Sequence, residues 1–449
     1  METIIKKLKS PYTVVKFQNY FGVYRTEREA ESKHSDIRNC LQCKLTDPEI
    51  LKNFNVDCQK NFKENLTQNG SVVSNGDCLW EKEPRYRHRR ECSCDSIRSS
   101  TPSDVEGVQL SVSDIDSDSE CQAEYEIRNK FWYYFFTFGA SLGYELFYSS
   151  FFPFWFWNID GAVGRRVIMV WVLIMYVGQA LKDIIRWPRP SAPPVVQLEP
   201  GYSEEYGMPS THAMVGAAVP FSLLIFTMHR YEYPIVIGLL IAILWCALVC
   251  CSRLYMGMHT ILDILGGLFL VTLLMVVLLP IIDTMDSFFL THRFSPLVAI
   301  LFTMLLVVFY PSSDRWTPAR SDTAIILGSG AGLIVGAWLN YKLGIICGPG
   351  LPPPYQILWP DYHVVGLALL RASIGISCIV ATRAIFKSML YAVICNILKV
   401  DAQNLKTKHT VQVFFKYLTY SAIGFTITYL SPVVFRFLNI ERITMFTEV

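Results

Sequence analysis

The stretch Ser252 to Gly267, SRLYMGMHTILDILGG, decides how the rest of the chain is read. It lies where one apolar run, Pro234 to Cys251 (PIVIGLLIAILWCALVCC), ends and another, Ile261 to Ile282, begins. Ionisable side chains are costly at membrane depth, so an Arg, a His and an Asp at such a junction mark a functional site. His259 and Asp263 are four residues apart; on a helix they share a face, and the carboxylate is expected to hold the imidazole. Arg253 falls on a different face of any continuous helix. It is expected to end the preceding helix and reach the histidine's pocket across a short turn. A fixed cation, an imidazole and an orienting carboxylate at a membrane surface suit chemistry on a phosphate.

Outward from this stretch the chain has two unlike parts. It has 449 residues, is 52% hydrophobic and carries a formal net charge of +2. Residues 1–130 are polar and read as a mostly disordered tail, whereas 131–449 is a succession of apolar runs. About 20 apolar residues cross the hydrocarbon core, so the expected fold is all-α, a polytopic membrane helical bundle. Near-neutral charge gives no case for a nucleic-acid partner. METIIKKLKS leading into YTVVKFQNYF lacks the compact apolar core of a cleaved signal peptide, so none is expected. Six of the thirteen cysteines lie at or beyond Cys246, in or near apolar runs, where the residue behaves as a small hydrophobe. Cys40 and Cys43 form a lone CxxC, so no metal site is expected there.

Within the tail, Met1 to Tyr24 reads either as an amphipathic helix on the membrane surface or as an ordinary helix. The basic cluster Arg85–Arg90 and the acidic serine run Ser111–Glu120 read as solvated linker, and Asn65 and Asn69 head glycosylation sequons. The expected spans are Phe131–Trp157, Val167–Ile185, Ala213–Met228, Pro234–Cys251, Ile261–Ile282, Pro296–Pro311, Thr323–Leu343, His363–Thr382 and Val411–Leu430. With the ambiguous segment Ala384–Leu398 they number nine to ten. Gly328, Gly332 and Gly336 recur every four residues, a spacing that lets two helix backbones approach closely.

Two more polar clusters fall at span ends. In Lys182-Asp-Ile-Ile-Arg-Trp-Pro-Arg-Pro190, prolines stop the helix and hold Lys182 and Arg189 beside the membrane surface. A point charge and a planar fork suit a tetrahedral dianion. In Tyr206-Gly-Met-Pro-Ser-Thr-His-Ala-Met214, Ser210 reads as an N-cap that leaves the amides of Thr211 and His212 at a helix N-terminus, an anion site. His212 is then placed to give a proton to a leaving oxygen.

Lys182, Arg189, Pro190, Pro209, Ser210, His212, Ser252, Arg253, His259 and Asp263 stand in the order and spacing KxxxxxxRP, PSxH and SRxxxxxHxxxD. That set resembles the signature of the type 2 phosphatidic acid phosphatase superfamily. YGMPSTHAM and SRLYMGMHTILDILGG resemble its sphingosine-1-phosphate phosphatase branch. Thr211 stands where the wider superfamily usually has glycine. The resemblance implies a phosphatase signature over 182–263 and a metal-independent phosphoric monoester hydrolase without cofactor. It implies phosphate binding by Lys182, Arg189, Ser210, Thr211 and Arg253, a His259 nucleophile oriented by Asp263, His212 as acid and base, and a phosphohistidine intermediate. The implied substrate is sphingosine 1-phosphate or a related sphingoid base phosphate in the bilayer, and the implied location is the endoplasmic reticulum membrane.

The competing readings are a broader lipid phosphate or polyprenyl diphosphate phosphatase, a glucose-6-phosphatase-like enzyme, and a transporter of phosphorylated lipid. Glu145 and Arg371 are intramembrane charges outside the signature, expected to pair with each other or meet a ligand amine. Arg165, Arg166 and Arg230 sit in short loops that the positive-inside rule makes cytosolic, which puts the active site and the N-terminal tail in the lumen; if Phe131–Trp157 instead dips in and returns, the tail is cytosolic.

Overall fold

Short polar residues fix where the helices around the motifs begin. A computed structural model of the chain describes residues 2–25, 125–202, 204–311, 318–346, 353–357, 359–398 and 409–442. In chain order the helices are α1 (Glu2–Lys9), α2 (Pro11–Tyr20), α3 (Lys130–Ser141), α4 (Glu145–Asn158), α5 (Gly161–Ile185) and α6 (Thr211–Met228). There follow α7 (Ile235–Tyr255), α8 (Ile261–Thr291), α9 (Ser295–Val308), α10 (Pro318–Lys342), α11 (Tyr362–Leu398), α12 (His409–Phe425) and α13 (Ser431–Phe437). A π-helical turn, Thr426–Leu430, joins the last two. Asp160 starts α5 by accepting from the amides of Ala162 and Val163 at 2.9 and 3.0 Å. Ser210 does the same for α6 from Ala213, and Thr260 and Asp263 open α8 as a reciprocal capping box. Each such cap is worth about 1 kcal/mol and sets the register of the motif that follows it.

Among the described residues seven helical stretches are long and apolar enough to cross a membrane: α5, α6, α7, α8, α10, α11 over Tyr362–Val393, and α12 with α13 over Val411–Phe437. The expected span Phe131–Trp157 is broken into α3 and α4 by a turn at Leu142–Tyr144. Glycine is needed at that turn by a distant partner: a Cβ on Gly143 would lie 2.5 Å from the ring of His212 on α6. Pro296–Pro311 is the 14-residue α9, and His363–Thr382 and Ala384–Leu398 are one helix, α11. The Gly328 spacing is a packing seam, as its four-residue period implied. A Cβ on Gly328 would come within 2.5 Å of the Tyr417 carbonyl, and Gly332 and Gly336 press still closer to Ser421 and Thr428.

The two ends of the bundle carry different chemistry. At one end, Arg165 forks onto Asp286 at 3.0 and 3.2 Å, tying α5 to α8, and Arg230 pairs with Asp160. At the other end lie the C-terminus of α5, the N-termini of α6 and α8 and the C-terminus of α7, which is where the three motifs meet.

The first residues of the chain fold onto this second end. β1 (Val23–Arg25) pairs antiparallel with β2 (Tyr125–Ile127), and Phe17 and Phe21 pack with Trp132, Phe136 and Tyr255. Gln18 is buried; its amide donates to the carbonyls of Val196 and Tyr255 at 2.7 and 2.9 Å and accepts from the Val196 amide at 3.2 Å. Met1–Tyr24 is thus two short helices, of which α2 buries Val14 and Gln18 against protein while α1 leaves Ile4 and Ile5 exposed. The expected tail features at Cys40, Cys43, Asn65, Asn69, Arg85–Arg90 and Ser111–Glu120 lie outside the described residues.

Candidate active site

Each motif delivers its side chain from a helix end. Lys182, on the last turn of α5, is buried and donates to the Glu205 carboxylate at 2.7 Å. Arg189 donates from Nε to the Glu205 carbonyl at 3.0 Å and from Nη2 toward its carboxylate at 3.4 Å. Its Nη1 donates to the Met258 carbonyl at 2.9 Å and reaches His259 Nε2 at 3.3 Å. Arg253, on the last turn of α7, makes a two-pronged pair with Glu199 at 3.1 and 3.0 Å, and the Tyr144 hydroxyl donates to the same carboxylate. Burial alone would raise the Glu205 carboxyl, but Lys182 and Arg189 outweigh it and hold this group below the ordinary carboxylate range.

The turn expected between Arg253 and His259 is present and needs its glycine. Gly257 has a φ of +69° and lies against the Val196 carbonyl, so a side chain there is both strained and obstructed. This turn lays His259 across Arg189. Because a guanidinium only donates, the Arg189 contact makes Nε2 the acceptor and leaves the ring proton on Nδ1, facing Asp263. Asp263 Oδ2 is 4.0 Å from Nδ1, beyond hydrogen-bond length, because the same oxygen accepts the Thr260 amide at 2.7 Å as part of the α8 cap. The direct bond that the i, i+4 spacing implied is therefore absent, and the carboxylate stands near the imidazole without a hydrogen bond to it. Burial first, then the charges of Arg189, Lys182 and Arg253, push the His259 ring well below its ordinary value.

Ser210 donates its amide to the Asp263 carbonyl at 3.1 Å, which locks the start of α6 to the start of α8. One residue on, Thr211 and His212 line a cavity with about 500 Å³ of empty space, part of it open to the outside. The His212 ring meets Tyr144 and Tyr202 edge-on at 6.1 Å from each. Glu205 lines the same cavity and bonds Lys182. The chain Lys182–Glu205–Arg189–His259 and the chain Arg253–Glu199–Tyr144–His212 thus bring together residues of all three motifs from positions spread over about 80 residues of sequence. Among the described residues, no group of three or more His, Cys, Asp and Glu is placed to hold a metal ion.

Glu199 and Glu205 were not singled out from the sequence. The signal was available: buried cations require counter-charges, and the polar loop Arg186–Pro209 that joins two of the motifs supplies both carboxylates. Glu145 and Arg371 do not pair. Arg371 donates to the Ile440 carbonyl at 2.7 Å and to Asn158 at 2.5 Å, whereas Glu145 lines the His212 cavity.

Fold and cluster together define a class: multi-pass membrane helical proteins that gather cations and two histidines at one bundle end. Residues 164–286 match the family model of the PAP2 superfamily. Sphingosine-1-phosphate phosphatase 1 of Rattus norvegicus is 43% identical over 313 residues, 69% of this chain and 73% of that protein. Sphingosine-1-phosphate phosphatase 2 of Homo sapiens is 42% identical over 324 residues, 71% of this chain and 80% of that protein. The more distant lipid phosphate phosphatase delta of Arabidopsis thaliana is 29% identical over 205 residues, 44% of this chain and 49% of that protein. No solved structure gives a significant match. The chain belongs to the sphingosine-1-phosphate phosphatase family within the PAP2 superfamily.

Proposed function

We propose that this chain dephosphorylates sphingosine 1-phosphate and related sphingoid base phosphates in the membrane, releasing the free base and inorganic phosphate. The observation that supports it most directly is His259 Nε2 at 3.3 Å from an Arg189 that is itself tied to Lys182 through Glu205. A phosphoryl group held by Lys182, Arg189, Arg253 and the Ser210–Thr211 start of α6 competes with Glu205 and Glu199 for those cations and meets the Nε2 lone pair. Nε2 attacks phosphorus, the P–N bond forms and the ester P–O bond breaks in line. The cations take up the charge on the equatorial oxygens, and His212 gives its proton to the departing alkoxide. His212, now neutral, accepts a proton from water, which attacks phosphorus; the P–N bond breaks and inorganic phosphate leaves. Asp263 stabilises the cationic phosphohistidine across 4.0 Å.

The clusters lie at span ends, so the substrate head reaches them from one leaflet while its tail stays in lipid. The membrane is proposed to be that of the endoplasmic reticulum with the active site lumenal. Arg165, Arg166 and Arg230 lie at the bundle end opposite the motifs, where the positive-inside rule favours the cytosol. Phosphate release by detergent-solubilised protein tests the reaction. Sphingosine 1-phosphate in mixed micelles is expected to be hydrolysed in the presence of EDTA and to be inhibited by vanadate, with glucose 6-phosphate a poor substrate. A strict Mg²⁺ requirement, or equal kcat/KM for glucose 6-phosphate, would overturn the assignment, and binding without hydrolysis would make the protein a carrier.

A further inference from the structure

The cavity beside His212 carries chemistry that phosphoryl transfer does not use. Besides His212, Thr211 and Glu205 it is lined by Glu145, Asp322, Tyr148, Trp171 and Gln179. Three of these hold buried polar atoms with no partner among the described residues: Gln179 Oε1, the Tyr148 hydroxyl and the Trp171 indole nitrogen. These residues are 5%, 4% and 9% exposed, so none of the three atoms is satisfied by bulk water, and an orphaned buried polar atom is costly unless a ligand meets it. The Tyr148 and Trp171 rings lie 5.8 Å apart, presenting aromatic surface to the same space. Asp322 has Lys416 at 3.6 Å; the same lysine acts on Glu145 from farther off, and Glu145 makes no close ion pair among the described residues.

An acceptor without a donor, carboxylates and aromatic faces are what a primary ammonium needs when it leaves water. Phosphate would find acidic and neutral side chains lining that side of the cavity, with Lys416 set behind Asp322. The sphingoid substrate proposed above carries its ammonium on the carbon next to the phosphate ester carbon. A head group whose leaving oxygen lies at His212 therefore holds its ammonium within the same cavity.

On the reading that the chain acts on sphingoid base phosphates, we propose that Glu145, Asp322 and Gln179 form an ammonium subsite that selects amine-bearing lipid phosphates over glycerol-based ones. Tyr148 and Trp171 wall that subsite and exclude water from it. Because the subsite acts on the charged amine, it separates two lipids that are alike in phosphate, tail number and length.

The test compares sphingosine 1-phosphate with lysophosphatidate of matched chain length, using the full chain in mixed micelles. The wild type is expected to favour sphingosine 1-phosphate, and Glu145→Gln to reduce the ratio of the two kcat/KM values at least tenfold, with Glu145→Asp restoring part of it. Most of the change should appear in KM for the sphingoid lipid. Asp322→Asn provides the second variant and should shift the ratio in the same direction. An unchanged ratio in both variants, including equal loss on both lipids, would overturn the subsite while leaving the phosphatase reading intact. Hydrolysis of neither lipid by the wild type would overturn the phosphatase reading itself, and the subsite with it.

Discussion

His259 shows how one side chain is prepared by its surroundings. Arg189 fixes the tautomer, and burial together with Arg189, Lys182 and Arg253 keeps the ring neutral well below its ordinary value of about 6.5. As pH falls through about 6.5 an unfolded histidine takes a proton that the folded one refuses, so the folded state loses stability in that window while its imidazole stays available for the proposed attack on phosphorus. The acid limb of kcat/KM, measured against the substrate's own titration, should lie below about 6.5 and should move up toward that value in Arg189→Gln. A wild-type limb at the ordinary histidine value would contradict this account. Asp263 has two duties, the α8 cap at 2.7 Å and the charge 4.0 Å from Nδ1. Asp263→Asn retains an acceptor for the cap but removes the charge. Turnover should therefore drop about 10²-fold or more while thermal stability changes little, a split readable from kcat and a melting curve on the same preparation.

At the scale of elements, α2 braces the site. Gln18 satisfies three backbone groups of the Val196 and Tyr255 segments, and Tyr255 ends the helix that carries Arg253. Gln18→Leu would leave these groups buried and unmet at about 1–3 kcal/mol each. The variant should melt lower in detergent and should also lose kcat, since the Gly257 turn that aims His259 packs on the same Val196 carbonyl. A lower melting point with full kcat would separate the brace from the site. None of this was legible from the sequence, where Gln18 is one polar residue in a short amphipathic run and its partners are 178 and 237 residues away. The three motifs and most of the spans were legible, because helix length and hydropathy are local properties and the motif residues keep fixed spacings; of the nine to ten spans expected, seven are long and apolar enough among the described residues. The break at Gly143 was not, because it answers to His212 from another helix. The Glu199 and Glu205 pairings likewise depend on where a loop folds back, which periodicity does not encode.

For the whole molecule, the bundle gathers the motif residues at one end, and the N-terminal segment lies at that same end. If that end is lumenal, the chain leaving β1 starts on the lumenal side. Asn65 and Asn69 should then be glycosylated, seen as a mobility shift removed by endoglycosidase in the native protein and absent from Asn65→Gln/Asn69→Gln. Absence of glycan on a protein that reaches the endoplasmic reticulum would favour the opposite orientation. The central claim is that this end of the bundle carries a histidine nucleophile, and its most direct test is to trap the intermediate. Sphingosine 1-phosphate labelled in its phosphoryl group should transfer label to the protein on rapid quenching. The bond should be acid-labile and base-stable, map to His259, and be missing from His259→Ala. Label found on another residue, or turnover retained by His259→Ala, would contradict the account.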